Sequence, residues 1–251
     1  MSPKFIDDAT REAREAEILQ TALDVIARDG VSGLTIDKVV SKVPYSKGTV
    51  YNHVSCKEDL LTALCNNCVR RLADIFFRAA SFDGNSREKM LAIGIGYMLH
   101  SQFDPTEFML VISAKTPSVT EKSSQKRQEE HQELETKLLG TILQIISEGL
   151  ANGELTLAPH LSPAQVAFSL WAMSFGTIAL LQDNVERCGV RQEMTLEREL
   201  TNHANLVLDG LNWTPYTPDH DWHESVQRMK ATVFAPEVEA LRTRRNLNLQ
   251  G

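Results

Sequence analysis

Thr35–Leu60 reads TIDKVVSKVPYSKGTVYNHVSCKEDL. Thr35 is a favoured helix-capping residue, and Asp37 in the turn that follows complements the helix dipole, so a helix starts here. Its apolar residues Ile36, Val39 and Val40 turn inward. Pro44 stops it, because a residue before proline, here Val43, is pushed out of helical geometry. A third helix of the domain runs from about Ser46 to His53, with Val50 and Val54 one turn apart on its apolar side. Ser55-Cys56-Lys57-Glu58 has the form of a capping box, in which Ser55 and Glu58 each satisfy an orphan amide of the other and start a fourth helix. Two short amphipathic helices about the turn Val43-Pro44-Tyr45 have the proportions of a helix-turn-helix.

Outward from this stretch the period stays helical. A first helix is expected over about Thr10–Asp29, burying Ile18, Leu19, Ala22, Leu23, Val25 and Ile26, with Gly30 as the left-handed residue beyond its end. The fourth helix continues through Leu60, Leu61, Leu64, Leu72 and Ile75 to about Ala80, and Phe82–Arg87 forms the next break. Further helices follow at about 87–102, 107–114, 124–152, 162–186 and 192–211. A loop opened by Pro215 and Pro218 precedes one or two terminal helices broken near Pro236. The polar run Glu121–Glu135 reads as a solvated loop and helix start. No alternating strand and no internal repeat is evident, so the fold class is all-α.

The chain has 251 residues, 42% apolar and 24% charged, and a net charge of −7. That is the composition of an ordinary globular protein, with enough length for one large or two small domains. Overall acidity excludes indiscriminate coating of DNA and leaves room for a local basic surface. Between Thr35 and Lys57 such a surface exists: Lys38, Lys42, Lys47 and Lys57 stand against Asp37 alone. The N-terminus lacks an apolar signal-peptide core, and the longest apolar stretch, Val166–Leu181, is shorter than the roughly 20 residues that span a bilayer. Four cysteines without secretory features are expected as reduced thiols. The expected location is cytoplasmic, without a membrane partner.

The outer side of the third helix displays Lys47, Gly48, Thr49, Tyr51, Asn52 and His53. Lys47 can reach guanine acceptors or a phosphate, and the Thr49 methyl can meet a thymine methyl. Tyr51 and His53 can donate to phosphate oxygens and so fix register without reading sequence. Thr35 and Lys57 stand at helix N-termini, where amides and dipole already favour an anion. Gly48 costs about 1 kcal/mol in a helix relative to Ala, which points to something approaching the backbone closely there.

The pattern Ile18-Leu19-x-x-Ala22-x-x-x-Ile26-x-x-x-Gly30, Thr35, then Tyr45-Ser46-Lys47-Gly48-Thr49-Val50-Tyr51-Asn52-His53-Val54-x-x-Lys57-Glu58-x-Leu60-Leu61 resembles the TetR/AcrR family of bacterial transcriptional regulators. The resemblance covers about residues 11–72. It implies an N-terminal three-helix helix-turn-helix domain at 11–72 and a larger helical effector-binding and dimerisation domain at 73–251. It further implies a homodimer that binds a palindromic operator on double-stranded DNA, usually as a repressor. Thr35, Tyr51, His53 and Lys57 would hold phosphates, and Lys47, Thr49 and Asn52 would vary with the operator, with Ser46 and Gly48 completing the DNA-facing set. Two positions depart from the family pattern: Pro44 where glycine is usual, and Val54 where phenylalanine is usual. The first demands a turn without a left-handed residue at that position, and the second leaves less side chain to pack the recognition helix.

Beyond the motif, the helix at 162–186 is apolar on most sides and so must be buried from several directions. With Leu196, Leu200, Leu206, Leu208 and Leu211 it can build an intersubunit four-helix bundle. Met98, His100, Phe103, Phe108, Met109, Trp171 and Phe175 are the candidate lining of an effector pocket, suited to an uncharged apolar or aromatic small molecule. Cys65 and Cys68, one turn apart, offer an alternative reading as a redox sensor. Another is an interaction protein that keeps this fold without operator binding. Gly94-Ile95-Gly96 lies in a helical pattern with no strand before it, so it is not a dinucleotide fingerprint. No catalytic, metal or cofactor site is expected.

Overall fold

A computed structural model describes residues 7–182 and 189–248. The described residues are helical apart from turns, and no strand forms among them beyond one isolated bridge between Leu155 and Trp213. The chain divides into two compact units: Met1–Cys68 with Thr106–Glu133, and Val69–Pro105 with Leu134–Gly251. The expected division drew one boundary at residue 72. Packing instead returns a later segment to the N-terminal unit, because the starts of two distant helices are tied together there.

In the first unit α1 (Asp8–Gly33) is interrupted at Gly30, whose φ of 72° is the left-handed conformation expected of it. Next come α2 (Ile36–Val40), α3 (Lys47–Tyr51) and the first turns of α4 (Lys57–Ala80). The unit closes with α6 (Pro105–Ala114), the single turn α7 (Pro117–Thr120) and the first turns of α8 (Gln125–Ala151). Its core joins Ile18, Ala22, Val25 and Ile26 of α1 to Val39, Val50, Val54, Leu60 and Leu64, all buried. Each of these valine, leucine and isoleucine side chains contributes roughly 1.5–3 kcal/mol by leaving water.

Two local readings need correction. Helix α2 ends at Val40, and Ser41 to Tyr45 form the turn. Helix α4 does not start with a Ser55/Glu58 capping box: Asp59 accepts from the Ser55 amide at 2.9 Å, and the Asp59 amide points to Cys56 Sγ at 3.4 Å. The start of the helix is therefore displaced by one residue. Asp59 prevails because its other carboxylate oxygen accepts from the Ser124 amide and hydroxyl, at 2.9 and 2.7 Å. Next to it, Thr62 shares a 2.5 Å hydrogen bond with Ser123. These contacts are what bind the start of α8 to the start of α4.

The second unit contains α5 (Ser86–Phe103), α9 (Pro163–Leu181), α10 (Leu196–Gly210), α11 (Trp222–Ala231) and α12 (Ala235–Asn248). Helices α5, α9 and α10 pack on one another, and α11 and α12 pack on α5. By length and composition α9 could cross a membrane; in this unit it is a packed helix. The expected continuation of α9 to 186 falls partly outside the described residues. The C-terminal segment is held by Arg87, which is fully buried. Its guanidinium donates to Asp209 at 2.7 Å, to the Trp213 carbonyl at 2.5 Å and to Asn205 and Thr217 at 3.1 Å, and lies 4.5 Å from the Trp222 ring centre. Gly96 serves close packing: a Cβ there would come within 2.6 Å of Ile75 and 3.0 Å of Phe234.

Candidate nucleic-acid interface

Helix α3 is cut to length by its own side chains. Ser46 caps it, accepting from the Thr49 amide at 3.2 Å while its hydroxyl lies 2.9 Å from that of Thr49. Thr35 caps α2 in the same way, accepting from the Lys38 amide at 3.2 Å. Both hydroxyls satisfy amides that would otherwise be orphaned at a helix end. No residue between Ser41 and Tyr45 has a positive φ, so Pro44 fits its turn without strain. The small Val54 is fully buried together with Val50.

On the solvent side stand Lys47, Gly48, Asn52 and Tyr51, the last 43% exposed despite its size. Thr35 and Ser46 are exposed, and Thr49 and Lys57 are half-buried. Lys47 pairs with Asp37 at 2.7 Å, which holds its pKa above the usual lysine value, and it lies 5.8 Å from the Tyr51 ring centre. Lys57 Nζ donates to the Ser32 carbonyl at 3.3 Å. Lys38 pairs with Asp29 at 2.8 Å, so part of the local basic excess is neutralised on the surface itself.

His53 departs from this set. Its side chain is 6% exposed and faces Glu15, with Nδ1 3.5 Å from Oε2. The imidazole is thus turned toward α1. Glu15 and Arg127 were missed because only tertiary packing brings them here. Tyr45 Oη donates to Glu17, also on α1.

The pocket candidates are drawn from both units. Phe108 and Met109 belong to the first unit, buried and exposed respectively; Met98, His100, Phe103, Trp171 and Phe175 belong to the second. Within that second unit Trp171 lies 6.4 Å from Phe175 between ring centres and donates to Tyr97 Oη at 3.3 Å. Tyr97 was not anticipated. Burial, with Arg71 adding a like charge, pushes His100 down to about 4, so its ring is neutral at neutral pH. Cys65 and Cys68 are reduced and buried, each 2% exposed. Oxidants reach such thiols only when the packing opens, which weighs against the redox reading.

Residues 18–64 match the model of bacterial regulatory proteins, tetR family. No curated protein matches the chain in sequence. Solved structures match it in fold. A protein of unknown function from Rhodococcus sp. RHA1 is 17% identical, over 84% of this chain and 100% of its own, with a TM-score of 0.64. The TetR family transcriptional regulator PfmR from Thermus thermophilus is 15% identical over 77% and 98%, TM-score 0.60. The transcriptional regulator FadR from Bacillus subtilis, in complex with stearoyl-CoA, is 17% identical over 78% and 98%, TM-score 0.60. At these identities the likeness is one of fold.

Proposed function

We propose that this chain is a TetR-family regulator: a cytoplasmic, one-component repressor that binds a palindromic operator as a homodimer and releases it when an apolar or aromatic small molecule binds. The family-model match over residues 18–64 and the likeness of fold support this reading. The observation that carries this reading is the outer face of α3. Lys47, Gly48, Tyr51 and Asn52 are exposed on a capped helix in the same unit as Thr35 and Lys57. Lysines and a tyrosine hydroxyl supply phosphate contacts, and Lys47, Thr49 and Asn52 supply groups that distinguish bases.

A second copy supplies what the single chain leaves uncovered. Helices α9 and α10 pack together and expose Phe168, Trp171, Leu180 and Leu206, by 37–71%. Large apolar side chains left exposed on a packed helix pair are suited to burial against a second copy. Support for the effector class comes from the Tyr97–Trp171–Phe175 contacts, from the neutral His100, and from a fold relative that was crystallised with stearoyl-CoA. Binding of the effector would shift the separation of the two recognition helices away from one DNA turn, about 34 Å.

The test begins with DNA enriched from a random pool by the wild-type chain. Lys57→Ala should weaken binding to it and lower the slope of log affinity against log salt by about 0.9, the counterion release of one phosphate contact. Tyr51→Phe should weaken binding and leave the slope alone, since no charge is lost. Unchanged affinity in a Tyr51→Ala/Lys57→Ala double variant would sink the assignment.

A further inference from the structure

A helix of five residues cannot hold its own angle; what it packs on must hold it. For α3 the apolar part of that support is two valines, Val50 and Val54. The rest is polar and comes from α1. Ahead of α3, Tyr45 Oη donates to Glu17, and the Arg14 guanidinium lies 5.6 Å from the Tyr45 ring centre. Behind α3, His53 faces Glu15 with its side chain buried. Helix α1 thus grips the recognition segment at both ends.

Glu15 is in turn held from elsewhere. Its Oε1 accepts from Arg127 Nη2 at 2.6 Å, and Arg127 Nη1 donates to Glu130 at 3.1 Å. Asn66 of α4 donates to the Arg127 carbonyl at 3.0 Å and to Glu130 at 3.1 Å, and its own Oδ1 lies 2.8 Å from His131 Nδ1. The Arg127 side chain is only 11% exposed. A cation this far out of water is costly unless its partners are fixed, and its best-attested use is to specify one geometry. None of these groups lies on the surface assigned to DNA.

Resting on the DNA-binding reading above, we propose that Glu15 and Arg127 are positioning residues for DNA recognition. Arg127, in the first turn of α8, fixes the Glu15 carboxylate, Glu15 orients His53, and His53 sets the angle at which α3 presents Lys47, Thr49 and Asn52. The first turn of α8 is thereby coupled to the reading surface without touching DNA.

The experiment titrates the full-length chain and its variants with the DNA that the wild type enriches from a random pool. Arg127→Met is expected to lower affinity roughly tenfold, about 1.4 kcal/mol, with the salt slope unchanged because no phosphate contact is lost. On a His53→Ala background the same substitution is expected to add nothing further, since both changes break one chain of contacts. Far-UV circular dichroism checks that each variant is folded. Arg127→Lys, which keeps the charge and part of the bonding, should fold wherever the methionine variant does not, and lose less affinity. Wild-type affinity in folded Arg127 variants, losses that add to those of His53→Ala, or a reduced salt slope would each overturn this inference alone. A wild-type chain that enriches no DNA would instead overturn the DNA-binding reading on which it rests.

Discussion

Gly48 stands on the outer face of α3, where an added methyl group would meet only the Ser46 hydroxyl, at 3.9 Å. The folded chain therefore has room for alanine, and alanine is the better helix former by about 1 kcal/mol. Gly48→Ala should raise the thermal midpoint yet weaken DNA binding, because the space is kept for a sugar-phosphate chain passing close to the backbone. Unaltered or tighter binding in that variant would mean that nothing approaches Gly48. Neighbouring Lys47 is paired with Asp37, both well exposed, and such a solvent-screened pair is weak enough to yield to a phosphate or a guanine. Residues whose role is local were legible in the sequence. Thr35 and Ser46 cap their helices as expected because a cap is settled within three residues. His53 was not, since its partner Glu15 lies 38 residues upstream and only the packing of α1 turns the imidazole inward.

The helices themselves follow from periodicity, and their ends reveal where tertiary contacts override it. Ser55 and Glu58 have capping-box spacing, yet Asp59 takes the Ser55 amide because the same carboxylate also holds Ser124, 65 residues on. Burial acts to raise the Asp59 pKa, but the amides and hydroxyls of Ser55 and Ser124 together outweigh it and hold the carboxyl below the usual carboxylate value. A depressed folded-state pKa means stabilisation that is full above the unfolded value, about 3.8, and is lost as pH falls through the folded one. Asp59→Asn should therefore cost about 1–3 kcal/mol near neutral pH and progressively less in acid, read as the difference in urea midpoint between pH 7 and pH 2. A difference that does not shrink with acid would show that the charge of Asp59 contributes nothing. Arg87 gives the same lesson in the second unit. As a basic residue near a helix start it carries no signal in the sequence, and its partners Asn205, Asp209 and Trp213 lie 118 to 126 residues away.

At the scale of the whole molecule the all-α class and the helix-turn-helix were readable from period and motif, whereas the division into units was not. A boundary at 72 follows the motif's end, and the return of Thr106–Glu133 to the N-terminal unit depends on Asp59, Thr62 and Asn66, polar residues of α4 whose partners no local pattern reveals. The apolar excess of α9 was legible, and the proposed homodimer gives it a use: Phe168 and Leu180 on α9, with Leu206 on α10, remain exposed in the single chain. The two-fold symmetry of the proposed homodimer would then appear in the DNA it prefers. Sequencing the fragments that the full-length chain enriches from a random pool tests this most directly. The expected result is an inverted repeat with half-sites centred about one helical turn apart, roughly 10 base pairs. No enrichment, or an enriched sequence without two-fold symmetry, would contradict the account.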